Sequence, residues 1–403
     1  MPTTAPVADP VADVGRWLKT EAARSGDAAR FVNALGEKLR AAGIPVDRIT
    51  TGVPILHPNI SSASVLWEPG KAPVERRWIL DATTVRSYDN SPLKVVYNGG
   101  GKVRCRIGAA AEPREYGIIP DLRREGFTDY LALPLRFSDG STKALTVATR
   151  SATGFADADL AALDDLAPTI ALVLEIHTLH RTARTLLDTY VGPVAGGRVL
   201  SGAIKRGMGE TIHAVIWVCD LRGFTALSDT LGQDEMILLL NDYFGAMTKA
   251  VANHGGEVLK FIGDALLAIF PVTAANAETA VARSALAVAA DARAALAAIN
   301  ATRAAANRPA IRFGLALHVG DVMYGNIGGE ARLDFTVIGP AVNLATRIES
   351  LTKELGEPVL LSAAFAHLAG ADVRAVGSHR VKGVEAPQAV YAPAALEPKQ
   401  SLG

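Results

Sequence analysis

The sequence predicts an α+β protein of two domains joined by a helical linker. The chain has 403 residues, more than one core of ordinary size needs, so two domains are expected. Helical periodicity alternates with short strand-like runs in both halves. Residues 191–210 contain six glycines and one proline, which indicates a linker. We predict a tail at 1–10, a first domain at 11–167, a linker at 168–209, a second domain at 210–393 and a tail at 394–403.

Composition excludes several classes of protein. Hydrophobic residues make up 49% and charged residues 20%, which is typical of a globular chain. Lysine plus arginine equals aspartate plus glutamate at 41 each, so no global field favours nucleic acid or an anionic membrane. The two cysteines, Cys105 and Cys219, indicate a reducing compartment. The first twenty residues lack a signal peptide, and no uncharged apolar run has the length of a membrane span. We expect a cytoplasmic protein.

The first domain reads as a helix, a sheet and a closing helix. Apolar residues recur at helical spacing over residues 11–42, and strands broken by turn residues follow over 49–150. The clearest pair, within residues 129–150, flanks Ser138-Asp139-Gly140-Ser141 as a hairpin. A helix follows Asp157. This layout, with the run P-L-R-F-S-D-G to G-F-A-D-A-D-L, resembles a GAF-like sensor domain.

That resemblance implies a pocket between sheet and loops for an unidentified small-molecule regulator. Four side chains there could contact a ligand: His57, Tyr88, Cys105 and Tyr116. Each is better explained as a core or loop residue, so none is assigned to a site.

The linker begins with a helix predicted over residues 168–190. Its apolar residues alternate at spacings of four and three, as in a coiled coil: Leu172, Ile176, Leu179, Ala183, Leu186 and Tyr190. We call these six residues the seam. They predict either a dimer contact or packing on the first domain.

The second domain alternates strands and helices. Strands are predicted at 212–219, 257–262, 265–270, 311–318, 322–327, 334–338 and 380–392, and helices at 228–253, 274–306 and 340–355. Gly320-Asp321 is predicted to join the fourth and fifth strands. Gly263-Asp264 is predicted as the turn of the hairpin between the second and third strands.

Two carboxylates end strands of this domain. Asp220 follows a buried strand and Asp264 lies at the hairpin tip, and neighbouring antiparallel strands can place them side by side. Two carboxylates 4 Å apart repel by roughly 4 kcal/mol at an effective dielectric of 20, which a divalent cation would relieve. The alternative is a solvated turn in which aspartate serves turn propensity alone.

Backbone and helical positions add groups that suit a nucleotide. The loop Asp-Leu-Arg-Gly-Phe-Thr after the strand could turn its N–H groups towards a phosphate. Asn343 and Arg347 are four residues apart, so they share one helix face and suit a ribose oxygen and a phosphoryl group. Taken singly, each is better explained as an ordinary surface residue.

These residues stand in five motifs in one order: D-L-R-G-F-T, K-F-I-G-D, I-R-F-G-L-A-L-H-V-G, T-V-I-G-P-A-V-N-L-A-T-R and V-K-G. Together they resemble the class III adenylyl/guanylyl cyclase family over about residues 210–392. The resemblance implies a ferredoxin-like catalytic domain that works as a head-to-tail homodimer with active sites at its interface.

The resemblance also implies roles for single residues. Asp220 and Asp264, with Leu221, would bind two Mg²⁺ or Mn²⁺ ions, one activating the ribose 3′-hydroxyl and one holding the triphosphate. Phosphate contacts would come from Arg312 and from the backbone of Leu221, Gly223, Phe224 and Thr225. Asn343 would orient the ribose, and Arg347 would stabilise charge on the α-phosphate.

The resemblance also implies which purine binds. Lys260 and Thr336 match the two family residues that contact the base, and a lysine donor and a hydroxyl suit the N1 acceptor and the amino group of adenine. The threonine resembles a subgroup that includes bicarbonate-responsive cyclases, so bicarbonate sensitivity is a hypothesis. The family's V-K-G-x-K run ends here in Val384, which leaves Lys382 as the candidate triphosphate contact from that loop.

We therefore predict an adenylyl cyclase that converts ATP to 3′,5′-cyclic AMP and pyrophosphate and is regulated by its first domain. A guanylyl cyclase is the first alternative, and Lys260 argues against it. A catalytically inactive nucleotide-binding sensor or scaffold is the second, and the retained Asn343 and Arg347 argue against it.

Overall fold

The computed structural model describes residues 9–57, 60–78, 88–108, 115–202, 207, 209–273, 278–330, 332–370 and 373–394, with side chains except at 53–57, 60–62 and 77–78. The chain divides into two compact units, Met1–Leu186 and Leu187–Gly403. Most of both predicted tails lies outside the described residues, as does the side chain of His57.

The first unit is built on one antiparallel sheet. Its strands are β1 Arg48–His57, β2 Ile60–Trp67, β3 Val74–Trp78, β4 Val103–Arg106, β5 Asp129–Arg136 and β6 Thr142–Thr149. They lie in the order β3-β2-β1-β6-β5-β4. The helices are α1 Pro10–Thr20, α2 Ala28–Ala41, α3 Pro92–Tyr97, α4 Ile119–Arg124 and α5 Asp157–Tyr190. The hairpin predicted within residues 129–150 is confirmed as β5 and β6.

Helices cover both faces of this sheet. Buried residues of α1, α2 and α5 share one core cluster with β1 and β6, and residues of α3 and α4 share a second with β5. Of the proposed pocket residues, Tyr88 stacks on Tyr97 at 6.2 Å between ring centroids. Cys105 and Tyr116 pack against the second cluster, as core residues do.

The single helix predicted over residues 11–42 is wrong, because the chain breaks between α1 and α2. A 3₁₀ turn, Ala22–Arg24, follows α1, and Gly26 takes a φ of 93°. Asp27 then caps α2 by accepting a hydrogen bond from the Arg30 N–H at 2.8 Å. The sequence Ser-Gly-Asp carried this stop and start signal.

Helix α5 is continuous through Pro168, whereas two separate helical segments were predicted. Proline removes one backbone hydrogen bond from a helix interior, and burial of Leu163, Ile170 and Leu174 around it stabilises the helix across that gap. All six seam residues are exposed, Leu172 and Leu179 at 58% each. The seam therefore does not pack on the first unit.

The second unit is built on an eight-stranded sheet. Its strands are β7 Gly209–Leu221, β8 Glu257–Ile262, β9 Ala265–Pro271, β10 Phe313–Gly328, β11 Leu333–Ile338, β12 Val359–Ser362, β13 Val373–His379 and β14 Gln388–Pro393. The helices are α6 Pro193–Leu200, α7 Phe224–Thr230, α8 Gln233–Asn253, α9 Glu278–Ala305, α10 Pro340–Glu354 and α11 Ala363–Ala369.

The central strands have a ferredoxin-like order. The path is β13-β14-β12-β10-β7-β9-β8, with β11 paired to β10. Strand β7, helix α8, strands β8 and β9, helix α9 and strand β10 form a β-α-β-β-α-β unit with antiparallel neighbours. Helices α8, α9 and α11 pack on one face, and α10 packs on the other.

Four predicted boundaries in this unit are wrong. Gly320-Asp321 is not a junction, because β10 pairs with β7 without interruption from Phe313 to Gly325. The helix expected from Ser228 is two helices, α7 and α8. The strand predicted at 380–392 is confined to β14, and β13 precedes the predicted range. The glycine-rich linker contains α6, where Gly196 permits close approach to Leu187 and Ala195 is buried.

Helix α9 has the length and composition of a membrane span, with a mean hydropathy of 1.2, although the sequence analysis expected no span. Its buried residues Ala285, Val288 and Leu296 pack in the core beside β7 and β10. A core helix of a globular domain passes the same test of length and composition.

Candidate active site

A pair of carboxylates lies at one end of the second sheet. Asp220 is the penultimate residue of β7 and pairs with Ala265, the first residue of β9. Asp264 directly precedes Ala265 in the Gly263-Asp264 turn, where Gly263 takes a φ of 65°. Asp264 lies close enough to Asp220 for its charge to act on the Asp220 carboxyl group. The register of three neighbouring strands thus places both side chains together.

The environment of Asp220 penalises its ionised form. Partial burial, the Asp264 charge and the hydrogen bond to Asp264 together hold the pKa of Asp220 well above its usual range. Glu349 raises it further, and Arg222 lowers it. Two facing carboxylates repel each other when both are ionised, and a cation between them would relieve that repulsion.

This donor set fits a divalent cation. Carboxylate oxygens are ligands that Mg²⁺ and Mn²⁺ prefer, and a cation would remove the repulsion that raises the pKa of Asp220. Within the part of the chain that the structure describes, no group of three or more His, Cys, Asp or Glu side chains is arranged to hold a metal. The groups of this chain that could hold a cation here are the two carboxylates, with backbone carbonyl groups beside them.

The loop after Asp220 offers fewer free N–H groups than the sequence analysis predicted. Leu221 belongs to the β7–β10 ladder, and the Arg222 N–H donates to the Arg312 carbonyl at 2.8 Å. Gly223 takes a φ of 77° and begins α7 without a side-chain cap. The first N–H groups of α7, at Phe224 and Thr225, therefore lack intrahelical acceptors. The Arg312 side chain is exposed beside this loop.

The proposed base-reading residues lie on one face of neighbouring elements. The Lys260 Nζ is 3.9 Å from the Asp334 Oδ2. Asp334 and Thr336 are two residues apart on β11, so their side chains project to the same side. Thr336 is 3% exposed, and its Oγ1 lacks a hydrogen-bond partner among the described residues. A buried hydroxyl without a partner suits contact with a ligand.

A β-bulge contributes to the position of Lys260. The register of β8 against β9 shifts between Val258 and Lys260, so Leu259 is the extra residue. Leu259 is buried in the core cluster under β11, while Lys260 remains half-exposed. A bulge of this kind re-aims the side chains that follow it.

Asn343 and Arg347 project from α10. Asn343 is exposed, and the Arg347 Nη1 donates to the Gly383 carbonyl at 3.3 Å. Gly383 takes a φ of 72° in the loop that also presents the exposed Lys382. Arg347 and Lys382 are therefore neighbours in space although 35 residues apart in sequence.

Helical geometry separates this pair from the carboxylates of the same chain. Glu349 faces the end of β7, where Arg222 donates to its Oε1 at 2.7 Å. At about 100° per residue, Arg347 lies about 200° around α10 from Glu349, and Asn343 lies within about 40° of Arg347. One chain therefore presents its carboxylates and its Asn343–Arg347 pair on different sides.

Four residues at this site were not given a side-chain role from the sequence. Arg222 and Gly314 stand inside the quoted motifs but received no role, and Glu349 was not considered. Asp334, beside Lys260, was read only as part of a strand. The signal for Arg222 was its charge in a loop otherwise expected to bind phosphate through its backbone.

Comparisons with known proteins show what the second unit is similar to. Residues 210–392 match the family model described as the adenylate and guanylate cyclase catalytic domain. The chain is 37% identical over 159 residues to an adenylate cyclase of Anabaena cylindrica, covering 40% of this chain and 31% of that protein. It is 28% identical over 229 residues to adenylate cyclase 1 of Rhizobium meliloti, covering 55% and 34%. The matches span about a third of these relatives.

Solved structures of cyclases are also similar. The adenylyl cyclase CyaB from P. aeruginosa is 26% identical, with a TM-score of 0.43, over 49% of this chain and 100% of that chain. The guanylyl cyclase Cya2 is 30% identical, with a TM-score of 0.41, over 48% and 98%.

The second unit is thus an α+β domain with a pair of carboxylates beside a helix start. More narrowly, residues 210–392 form a catalytic domain of the adenylate and guanylate cyclase family.

Proposed function

We propose that the protein is an adenylyl cyclase that converts ATP to 3′,5′-cyclic AMP and pyrophosphate. In this reaction the ribose 3′-oxygen bonds to the α-phosphorus, and the bond from that phosphorus to the bridging oxygen of pyrophosphate breaks. The observation that carries the proposal is the placement of Asp220 beside Asp264, since Asp220 pairs with Ala265 in the β7–β9 register, inside a cyclase catalytic domain.

Asp220, Asp264 and the Leu221 carbonyl would hold two Mg²⁺ or Mn²⁺ ions. When bound, such ions supply activation of the ribose hydroxyl and charge neutralisation on the triphosphate. The N–H groups of Gly223, Phe224 and Thr225 bind phosphate oxygens.

Four further side chains complete the substrate site. Arg312 and Lys382 bind the triphosphate, Asn343 orients the ribose, and Arg347 stabilises charge that develops on the α-phosphate. The contact with the Gly383 carbonyl holds the Arg347 guanidinium before substrate binds.

Lys260 and Thr336 read the base. The lysine donates to N1 of adenine, and the unpartnered Thr336 hydroxyl accepts from the amino group. In guanine, N1 carries a hydrogen and is a donor. The Lys260 ammonium, which is also a donor, would therefore face it without forming a hydrogen bond. This pairing favours ATP over GTP.

A second copy of the chain completes each site. One copy supplies Asp220, Asp264 and the phosphate-binding N–H groups of residues 223–225. The other copy supplies Lys260, Thr336, Asn343 and Arg347. The geometry of α10 supports this division, because Asn343 and Arg347 face away from Glu349 and the carboxylates. Exposed apolar side chains on α8 and the β8–β9 hairpin suit such a contact: Ile237, Leu238, Phe261 and Ile262.

The first unit regulates the enzyme as a GAF-like sensor, and a small molecule is the proposed signal. The exposed seam of α5 supports a parallel contact between two copies, since its spacing matches a coiled coil. We place the protein in the cytoplasm, where ATP is available.

Purified full-length protein should therefore convert ATP to cyclic AMP with Mn²⁺ or Mg²⁺, and GTP more slowly. Asp220→Asn should abolish the product, while Asp229→Asn, on the exposed face of α7, should not. Adding bicarbonate tests its effect in the same assay. Product from GTP alone would favour a guanylyl cyclase, and absence of either product with nucleotide still bound would favour an inactive sensor.

Mixed dimers test the shared site. Asp264→Ala and Lys260→Ala chains should each be inactive, and an equimolar mixture should regain about a quarter of wild-type activity, since half the dimers are mixed and each has one intact site. No recovery in mixtures of exchanging subunits would contradict the shared site.

A further inference from the structure

Arg222 belongs to the loop of residues 221–225 that is proposed to bind phosphate. Its side chain nevertheless points into the protein rather than towards a ligand. The Nη2 donates to the Glu349 Oε1 at 2.7 Å and to the Glu349 carbonyl at 3.4 Å. The side chains of Arg222 and Glu349 are only 19% and 8% exposed. The Arg222 N–H is also fixed, by the Arg312 carbonyl. Both the backbone and the side chain of Arg222 are therefore held by hydrogen bonds.

A glycine provides the path for this side chain. Gly314 lies opposite Asp220 in the β7–β10 ladder. A Cβ atom at position 314 would lie 1.6 Å from the Arg222 Nη2 and 2.4 Å from the Thr352 Oγ1. Any residue larger than glycine would displace the guanidinium. The notch left by Gly314 is thus fitted to Arg222.

The ion pair connects two parts of the catalytic machinery. Arg222 is two residues from Asp220, and Glu349 is two residues from Arg347 on α10. Thr352 reinforces the Glu349 end by donating to the Glu349 carbonyl at 2.6 Å. The pair also neutralises a carboxylate whose charge acts on Asp220.

We propose that Arg222 is a positioning residue that fixes the loop of residues 221–225, beside the Asp220–Asp264 pair, against α10. This inference rests on the proposed cyclase function. Arg222 does not contact substrate, because its guanidinium ends on Glu349. A broken pair would free the loop and leave an uncompensated carboxylate next to the metal ligands.

The test is Mn²⁺ binding to full-length protein in the presence of 3′-deoxy-ATP, measured by electron paramagnetic resonance of free Mn²⁺. This nucleotide lacks the attacking hydroxyl, so no turnover occurs. In Arg222→Ala the Mn²⁺ concentration at half-saturation should rise about 10–100-fold, the size expected for loss of an outer-shell partner. Arg222→Lys should restore part of the affinity. Gly314→Ala should match Arg222→Ala with every charge retained.

A second ion pair of the same unit provides the matched control. Arg374 contacts Glu357 at 2.5 Å, with side chains 34% and 9% exposed, on the opposite edge of the sheet from β8. Arg374→Ala should lower the melting temperature and leave Mn²⁺ half-saturation unchanged. Arg222→Ala and Glu349→Gln should be non-additive in Mn²⁺ affinity, because they break one interaction.

Two results would overturn the inference. One is unchanged Mn²⁺ half-saturation in both Arg222→Ala and Gly314→Ala, and the other is an equal shift in Arg374→Ala. The failure of the proposed function looks different, because wild-type protein would then make no cyclic nucleotide from ATP or GTP.

Discussion

Two carboxylates on strands of the two units, Asp129 and Asp220, have opposite surroundings. Asp129, the first residue of β5, is fully buried. Arg104 donates to both of its oxygens, at 2.6 Å to Oδ2 and 3.3 Å to Oδ1, and the Phe155 N–H adds a bond of 3.1 Å. Asp220 is less buried but faces Asp264, a second carboxyl group.

The difference separates a structural carboxylate from a functional one. A buried charge with several donors holds its surroundings together, and its loss leaves those donors unpaired. A carboxylate opposed by another carboxylate stabilises nothing in the absence of a cation. Asp129 should therefore matter to folding and Asp220 to chemistry.

The largest expected effect is on activity in Asp264→Asn. Loss of one ligand should remove roughly 4 kcal/mol or more of transition-state stabilisation, about 10³-fold in rate. Urea unfolding should show a free energy equal to or above that of wild type, because the repulsion with Asp220 is gone. A marked loss of stability would remove the contrast with Asp129.

Asp129→Ala should lower the free energy of unfolding by about 3–5 kcal/mol, since it leaves the Arg104 guanidinium without its partner. Urea titration followed by circular dichroism measures this. Asp13→Ala provides the control, because the Asp13–Arg16 pair is exposed, with a side chain 53% accessible at Asp13, and should change stability by less than about 1 kcal/mol. Equal losses in both variants would contradict the structural role of Asp129.

Added Mn²⁺ should stabilise the wild-type protein but not Asp264→Asn. At a hundredfold excess over its dissociation constant, a ligand that binds only the folded state adds about 2.7 kcal/mol. Differential scanning calorimetry with and without Mn²⁺ measures the shift in melting temperature. An equal shift in the variant would place the metal elsewhere.

The smallest effect concerns His213, which lies between two acids on the surface of the second unit. Its Nδ1 is 2.6 Å from the Asp321 Oδ1, and its Nε2 is 2.9 Å from the Glu278 Oε1. The hydrogen bond to Asp321 raises the pKa of His213, and Glu278 adds to the rise against the effect of burial. The contribution of the charged ring is therefore fully present below the unfolded pKa of about 6.5.

That contribution disappears as the pH rises through the higher folded pKa. His213→Gln should cost at most about 1 kcal/mol at pH 6, since the side chain is 40% exposed, and less at pH 9. Melting temperatures of both proteins across this range test the sign. A difference that grows with pH would contradict it.

Local patterns predicted the elements that place the carboxylates. The β8–β9 hairpin needs only its strand residues and the Gly263-Asp264 turn, and α10 begins at Pro340, where a missing N–H costs nothing. Asp220 and Asp264 could be brought together by that register alone. The base-reading residues came from family motifs rather than from local pattern.

Long-range packing accounts for what the sequence did not predict. The Arg222–Glu349 bond joins residues 127 positions apart and depends on Gly314, on a third element. Strand β10 continues through Gly320-Asp321 because β7 offers an unbroken partner, which outweighs the local turn preference. Helix α6 forms in a glycine-rich segment because it packs on the sheet, with Ala195 buried.

Gly314 has a consequence for how this protein can vary. The residue carries no functional group, takes no part in binding, and lies within a regular strand. The Arg222 guanidinium nevertheless occupies the space that a side chain at position 314 would fill. A library of all substitutions, selected for cyclic nucleotide output in cells, should be depleted of every substitution at position 314, alanine included. A residue without a functional group can therefore still be restricted in what may replace it.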